Sequence, residues 1–304
     1  MKKHPASKPR KILLLFVDGW GLAPAGRDNP FSLAQMPHTK ELWGSLTDNH
    51  RHVDSNSVLL GLDATFGVDG LPQSATGQAA LFTGLPVPRL LGKHRPGLPG
   101  PEVTAILRKS NIFTIAYNAG ASPTFANTYT QRYLAEIDRG TIHPSCTTVM
   151  CRMVPGGIRL TREYRADRAI SHDLSGEWLH LRVPSCKLRE PVEAGRIVRR
   201  LLYRHQLVMF EHFRLDAMAH AQNREAILRE LARYDEFLGG VLEEWDGDDW
   251  LVLASDHGNV EDLSTAGHTR NPALLAGWGR GIGKLGICKD VAELGQSLIA
   301  EFTA

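Results

Sequence analysis

The chain has 304 residues, of which 42% are hydrophobic, with 35 basic against 33 acidic residues. This length suits one large α/β domain, or a core with a smaller inserted domain. The near balance of charge gives no electrostatic reason to expect nucleic acid as a partner. No apolar run is long enough to span a bilayer, so we expect no membrane insertion.

The N-terminal residues Met1 to Arg10 are basic, and the apolar run that follows them is short. A secretory signal needs a longer apolar region and a small-residue cleavage site, so we expect a cytoplasmic protein with a frayed basic leader. The four cysteines are too few for a disulfide framework in a chain of this length, and none has a Cys-x-x-Cys partner. We expect them to be buried thiols.

Three continuous apolar runs predict buried parallel strands, and each is followed by acidic or histidine residues. They are Ile12 to Val17 before Asp18, Leu207 to Phe210 before Glu211, and Leu251 to Ala254 before Ser255-Asp256-His257-Gly258. In open α/β sheets, ligands bind at the carboxyl ends of the strands. The functional side chains should therefore gather at one edge of this sheet.

Helical patterns lie between these runs. They cover Gln78 to Phe82, in a helix that opens near Ala75-Thr76, then Pro191 to Arg204, Asn223 to Glu244 and Val291 to Phe302. Strands that alternate with helices indicate parallel βαβ units, so we predict a mixed, mostly parallel central sheet flanked by helices.

The stretch from about 92 to 186 has a different character. It begins with a segment rich in Gly and Pro and contains no strand that ends in acidic or histidine residues. We interpret 92–186 as a small inserted α+β cap domain, and 1–91 with 187–304 as the metal-binding core.

Four short stretches carry candidate metal ligands. Asp256 and His257 are adjacent in a tight turn after a strand, where a carboxylate and an imidazole can converge on Zn²⁺ or Mn²⁺. Asp216 and His220 are spaced i, i+4, which places both on one helical face. His268 lies in a polar loop beside Gly267, and Asp18 ends the first strand. Each alone is also compatible with a structural turn, a surface ion pair or an exposed loop residue.

A hydroxyl candidate lies in Gln73-Ser74-Ala75-Thr76-Gly77-Gln78, which leads into an apolar helix. Free backbone N–H groups and the helix dipole at a helix N-terminus favour phosphate oxygens. Simple N-capping is the alternative, because Ser and Thr frequently have that function.

Together these stretches resemble the metal site of the alkaline phosphatase superfamily, especially the branch of cofactor-independent phosphoglycerate mutase and phosphopentomutase. The matching segments, in the family's order, are Phe16 to Gly21, Ser74 to Gly77, Phe210 to His220, Asp256 to Asn259 and His268 to Pro272. The resemblance covers roughly residues 11–90 and 187–285 and implies an alkaline phosphatase-like core.

The resemblance also implies a role for each motif residue. Asp18, Thr76, Asp256 and His257 would hold one divalent ion, and Asp216, His220 and His268 the other. Thr76 would be the nucleophile, with its hydroxyl deprotonated by coordination, and would form a phosphothreonine intermediate. The ligand types suit Mn²⁺ or Zn²⁺ better than Mg²⁺.

The sequence thus predicts a phosphomonoester hydrolase or phosphomutase that acts on a small phosphorylated metabolite beneath the cap. A phosphodiesterase or nucleotide pyrophosphatase would share every metal residue, and a non-catalytic metal-binding protein is a third alternative. Sulfatase activity is not expected, because Thr76-Gly77-Gln78 departs from the sulfatase motif. The sequence gives no prediction of oligomeric state.

Overall fold

The fold is described by a computed structural model for residues 10–47 and 52–303. The central sheet consists of β1 (Ile12–Val17), β2 (His52–Val53), β3 (Ser57–Leu62), β4 (Pro123–Phe125), β7 (Leu207–His212), β8 (Trp250–Ala254) and β9 (Ala273–Trp278). These seven strands lie in the order β2-β3-β9-β8-β1-β7-β4. A separate pair is formed by β5 (Thr128–Tyr129) and β6 (Arg159–Leu160).

The direction of the strands confirms the predicted sheet. β1 runs parallel to both β7 and β8, and β7 runs parallel to β4. β9 is antiparallel to β8 and β3, and β2 is antiparallel to β3. Five of the seven strands therefore point the same way, which makes the sheet mixed and mostly parallel.

Helices cover both faces of this sheet. They are α1 (Pro37–Trp43), α2 (Ser74–Thr83), α3 (Val87–Leu91), α4 (Pro101–Lys109), α5 (Ile112–Asn118), α6 (Gln131–Asp138), α7 (Cys146–Cys151), α8 (Thr161–Arg165), α9 (Glu177–Arg182), α10 (Pro191–Leu201), α11 (Arg214–His220), α12 (Arg224–Leu242) and α13 (Val291–Thr303). Short 3₁₀ segments occur at Pro30–Ser32 and Ile282–Ile287. The four helices predicted from the sequence correspond to α2, α10, α12 and α13.

The alternation of side chains along β1 divides the core into two layers. Ile12, Leu14 and Phe16 pack with side chains of α2, α4, α5 and α13. Leu13, Leu15 and Val17 point to the other face and pack with α10 and α12. Because successive strand residues face opposite sides, a fully apolar strand is the sequence signature of a sheet covered twice.

The segment 92–186 contributes to the central sheet and also extends beyond it. Its strand β4 pairs with β7, and Leu107, Phe113 and Phe125 belong to the same apolar cluster as Phe16. Further along, Tyr164, Leu179 and their neighbours form a small cluster of their own. The division of the chain into a core and a cap domain stays a prediction.

Three expectations concern parts of the chain away from the sheet edge. All four cysteines are free and buried. The basic leader lies, apart from Arg10, outside the described residues. Within 10–47 and 52–303, no helix combines the length and hydropathy that crossing a membrane requires.

Candidate metal centre

Residues that follow β1 and β8 form the inner cluster, which consists of Asp18, Asp256 and His257. Since the two strands are parallel neighbours, their carboxyl ends meet at one edge of the sheet. One ligand atom from each residue lies within 4.8 Å of the others. His257 Nε2 is 3.2 Å from Asp18 Oδ1 and 3.6 Å from Asp256 Oδ2. All three side chains are buried.

The outer cluster consists of Asp216, His220 and His268. The helix α11 presents Asp216 and His220 four residues apart, and His268 comes from the loop before β9. His220 Nε2 is 3.4 Å from Asp216 Oδ2, and His268 Nε2 is 3.7 Å from Asp216 Oδ1. The rings of His268 and His257 stack with centroids 3.9 Å apart, so the two clusters adjoin.

The hydrogen bonds of the outer histidines indicate their tautomers. His220 Nδ1 donates to the carbonyl oxygen of Ala266 at 2.9 Å, and His268 Nδ1 donates to that of Pro72 at 2.7 Å. A carbonyl oxygen can only accept, so in the neutral imidazoles the Nε2 atoms carry lone pairs. These two Nε2 atoms are 3.1 Å apart. Two acceptors that face each other at this distance are suited to a shared cation.

The inner cluster has unsatisfied oxygens that also fit a cation. Asp18 Oδ1 and Asp256 Oδ2 are buried and accept no hydrogen bond from any described residue. Buried carboxylate oxygens without a donor are costly unless a cation neutralises them. Both clusters therefore have the donor atoms and the charge that a divalent metal ion requires.

The two clusters differ in how they shift histidine pKa values. Burial opposes a charged His257, but the carboxylates of Asp256 and Asp18 outweigh it and raise its pKa to about 10. Burial lowers the pKa of His268 to about 4, and the nearby His257 adds to this effect. Burial also raises the pKa of Asp256 well above its usual range, and Asp18 reinforces this shift.

The structure brings Ser74, and not Thr76, to the inner cluster. Ser74 is the first residue of α2, and its Oγ lies 3.0 Å from His257 Nε2. The Thr76 hydroxyl is fully buried, donates to the Gln73 carbonyl at 3.2 Å and accepts from the Arg95 backbone N–H at 3.2 Å. The hydroxyl of Thr76 therefore contacts the loop around Arg95, and Ser74 is the hydroxyl of α2 that lies next to His257. The assignment of Thr76 as the nucleophile stays a prediction.

Neighbouring polar side chains fix the positions of the cluster carboxylates. Gln78 Nε2 donates to Asp18 Oδ2 at 3.0 Å, and Asn259 Nδ2 donates to Asp216 Oδ1 at 2.7 Å. Gln78 follows Ser74 by four residues, which places both on the same face of α2. This helix approaches the inner cluster so closely that a Cβ on Gly77 would lie 2.8 Å from the Asp256 carbonyl oxygen.

Glu261 connects the loops that carry both clusters. Its carboxylate accepts from the backbone N–H groups of Gly21 at 3.0 Å and Asn259 at 2.8 Å. It also accepts from Asn271 Nδ2 at 3.0 Å and from the Thr269 hydroxyl. The sequence analysis missed this residue, although it lies only two positions after Asn259, the last residue of the Asp256-His257-Gly258-Asn259 motif.

A cavity of about 540 Å³ opens beside the clusters. Asp18, Ser74 and Asp216 line it on the sheet side, while most of the remaining wall comes from residues 97–182. Glu211, at the end of β7, also lines the cavity and accepts from the Thr147 hydroxyl at 2.8 Å. Burial raises the pKa of Glu211 to about 8, so this carboxyl is largely protonated at neutral pH.

In total, the structure brings six of the seven predicted ligands into two adjoining groups, and Thr76 is the exception. Ser74, Gln78, Asn259 and Glu261 complete the surroundings. A mostly parallel sheet with carboxylate and imidazole groups at its carboxyl edge is typical of α/β metalloenzymes.

The comparisons with known proteins agree with this class. The model of the Metalloenzyme superfamily matches residues 189–298. The phosphopentomutase of Limosilactobacillus reuteri is 33% identical over 92 residues, which are 29% of this chain and 23% of that protein. The chain is thus aligned with less than a quarter of that relative's length.

Solved structures extend the similarity to the whole fold. The PH0037 protein of Pyrococcus horikoshii has a TM-score of 0.60 at 12% identity, over 97% of both chains. The alkaline phosphatase of the Antarctic bacterium TAB5 has a TM-score of 0.54 at 14% identity, over 97% of this chain and 98% of that one. The predicted resemblance is confirmed: residues 189–298 match the Metalloenzyme superfamily, a phosphopentomutase is a partial homologue, and the fold is similar to that of an alkaline phosphatase.

Proposed function

We propose that this enzyme transfers the phosphoryl group of a small phosphate monoester, as a hydrolase or a phosphomutase, through a phosphoserine intermediate on Ser74. The proposal rests on one observation: the Ser74 hydroxyl lies 3.0 Å from His257 Nε2, at the N-terminus of α2 and at the wall of the cavity. Thr76 is engaged elsewhere, so a phosphothreonine intermediate is not part of this proposal.

The residues of the two clusters have separate roles in this proposal. Asp18, Asp256 and His257 would hold one divalent ion together with Ser74, and Asp216, His220 and His268 would hold a second. Their mixed oxygen and nitrogen donors suit Mn²⁺ or Zn²⁺. Such ions supply charge neutralisation and lower the pKa of a coordinated hydroxyl.

The chain itself supplies the nucleophile and the orientation. Ser74 Oγ gives up its proton to solvent and attacks phosphorus, and the bond from phosphorus to the ester oxygen breaks. The ester oxygen leaves with the bonding electrons and takes up a proton from water. The first N–H groups of α2 have no partner within the helix, and no Gln73 side chain caps them, so they can donate to the phosphate oxygens. Water or a second hydroxyl of the substrate then takes the phosphoryl group from Ser74.

Paired substitutions in α2 test the nucleophile. In the Mn²⁺-loaded chain, Ser74→Ala should lower kcat on phosphate monoesters by about 10³-fold or more, while Asp18, Asp256 and His257 still retain the inner ion at saturating Mn²⁺. Thr76→Val is the matched control, and its kcat should fall much less. Turnover that survives in Ser74→Ala but not in Thr76→Val would contradict the proposal and restore Thr76.

The same preparation distinguishes the types of reaction. Release of inorganic phosphate from sugar phosphates supports a hydrolase, while isomer formation without release supports a phosphomutase. Cleavage of a bis-aryl diester, with no cleavage of the matching monoester, would contradict the proposal and favour a phosphodiesterase. Mass spectrometry of the rapidly quenched enzyme should locate the phosphoryl group on Ser74.

A further inference from the structure

One wall of the cavity is built from three aromatic rings. The rings of His172 and Phe213 stack with centroids 4.8 Å apart and an interplanar angle of 17°. Trp178 meets His172 edge-on at 5.6 Å. All three residues line the cavity, yet Phe213 remains 41% and Trp178 50% exposed. The exposed parts of Phe213 and Trp178 therefore give this wall adjoining apolar surface that an occupant can cover.

The side chains of Arg182 and His172 border this wall, and both are compatible with a flat aromatic ring packed against it. The Arg182 guanidinium lies 3.7 Å from the centre of the Trp178 ring, and its Nη1 donates to the Trp178 carbonyl at 3.1 Å. Arg182 lines the cavity and makes no salt bridge in the part of the chain that the structure describes. Burial lowers the pKa of His172, so its imidazole is neutral near pH 7 and packs as an aromatic ring.

A second aromatic pair belongs to the same cavity. The rings of Tyr129 and Tyr133 stack with centroids 5.7 Å apart, and the Tyr129 hydroxyl is held by the Thr148 hydroxyl at 2.9 Å. The cavity also contains Ser74 and Asp216, and Asp216 follows Phe213 by three residues. Its volume of about 540 Å³ lies within the usual range for small-molecule sites. A single ligand can therefore reach both the nucleophile and the aromatic wall.

We propose that the cavity selects phosphate monoesters whose alcohol part carries a planar aromatic ring, as in nucleoside monophosphates and aryl phosphates. The phosphate would lie at Ser74, and the ring would pack against Phe213 and Trp178. This inference rests on the proposed function and names its substrate class. A ring-free sugar phosphate would leave both exposed rings in contact with water, whereas stacking of a base on an aromatic side chain is favourable and tolerates different bases.

Adenosine monophosphate and ribose 5-phosphate form the decisive pair, because they share the ribose and the phosphate and differ by the base. The Mn²⁺-loaded full chain should show a kcat/KM at least about tenfold higher for the nucleotide. The variants Phe213→Leu and Trp178→Leu should each reduce this ratio by about fivefold to tenfold. Leu181→Ala is the control, because Leu181 is 77% exposed on the same helix as Trp178 and does not line the cavity.

The ratio of 4-nitrophenyl phosphate to glycerol phosphate, measured in the same variants, distinguishes the two sources of the ring. If the variants lower the kcat/KM ratio of adenosine monophosphate to ribose 5-phosphate, the wall binds nucleosides. If they lower only the ratio of 4-nitrophenyl phosphate to glycerol phosphate, the wall binds aryl phosphates. Equal kcat/KM values for ring-bearing and ring-free substrates, or ratios that neither variant changes, would overturn the proposal.

Calorimetry on Ser74→Ala separates this inference from the proposed function. The variant should bind adenosine monophosphate at least about tenfold more tightly than ribose 5-phosphate. If wild-type enzyme turns over no monoester while this preference holds, the proposed function fails and the ring site stands. If monoesters turn over but the two affinities are equal, the ring site fails alone.

Discussion

The inner and outer clusters use the same two kinds of ligand in opposite proportions. Two carboxylates and one imidazole form the inner cluster, and all three are buried. One carboxylate and two imidazoles form the outer cluster, and the His220 side chain is 43% exposed. Excess negative charge in a buried site is compensated only by a proton or a cation. We therefore expect the inner ion to be held tightly and the outer ion to exchange with solvent.

The largest effect should come from Asp256→Asn, which removes one inner charge and keeps the shape of the side chain. Loss of the inner ion should lower kcat by about 10³-fold or more at any Mn²⁺ concentration. Metal analysis should show the loss of the tightly held ion. The control is Asp262→Asn, in the same loop. Among the residues that the structure describes, its carboxylate accepts only from the Ser264 backbone N–H. An unchanged metal content in Asp256→Asn would refute the inner assignment.

His220→Ala should have a smaller effect that added metal can reverse. Because His220 is partly exposed, water can occupy the vacated ligand position, and the Mn²⁺ concentration for half-maximal activity should rise by about 10- to 100-fold. Activity should largely return when Mn²⁺ is added in excess. If no concentration of Mn²⁺ restores the activity, the two clusters do not differ in the way proposed.

The contrast between Ser74 and Thr76 shows which features of the site could be predicted from the sequence and which could not. The apolar runs predicted β1, β7 and β8, and parallel pairing then placed Asp18 beside Asp256 and His257. The choice between two hydroxyls depends on the rotational phase of α2. Residues two positions apart in a helix point to nearly opposite sides, so only one of them can face the cluster. The packing of α2 on the sheet sets that phase, and no local pattern encodes it.

The cavity wall was beyond sequence reasoning for a different reason. Strand β4 has three residues and β5 has two, which is too short for a periodic pattern to be visible. The rings of His172 and Phe213 are 41 positions apart in the chain and meet only through tertiary packing. Most metal ligands were easier to find, because five of the six follow a strand or have a helical spacing, whereas His268 lies in the loop before β9.

Glu261→Gln should affect both clusters by a similar factor. Its carboxylate accepts from backbone N–H groups near the inner ligands and from the Thr269 and Asn271 side chains near His268. The amide retains the shape but loses one acceptor, so we expect metal affinity at each cluster to fall by about tenfold. A titration with Mn²⁺, with activity as the readout, should show that the binding phases of the inner and the outer cluster both shift to higher Mn²⁺ concentration. A shift in the outer phase alone would indicate that Glu261 acts only through Thr269 and Asn271.

The smallest expected effect is the release of protons when a metal ion binds. In the metal-free chain the pKa of His257 is raised to about 10 and that of Asp256 is also raised, so at about pH 8 an ion that enters the inner cluster should displace at least about one proton. The pKa of His268 is lowered to about 4, so this outer ligand has no proton to lose at that pH. The affinity of the inner cluster for metal should therefore increase as the pH rises towards 10, while His268 adds no such dependence to the outer cluster.

Calorimetry of Mn²⁺ binding in two buffers of different ionisation enthalpy measures the released protons. His220→Ala should retain the buffer dependence and Asp256→Asn should lose it, because only the first keeps the inner cluster intact. Heats that are identical in both buffers for the wild-type chain would mean that His257 is already neutral, and the charge contrast between the clusters would then be lost.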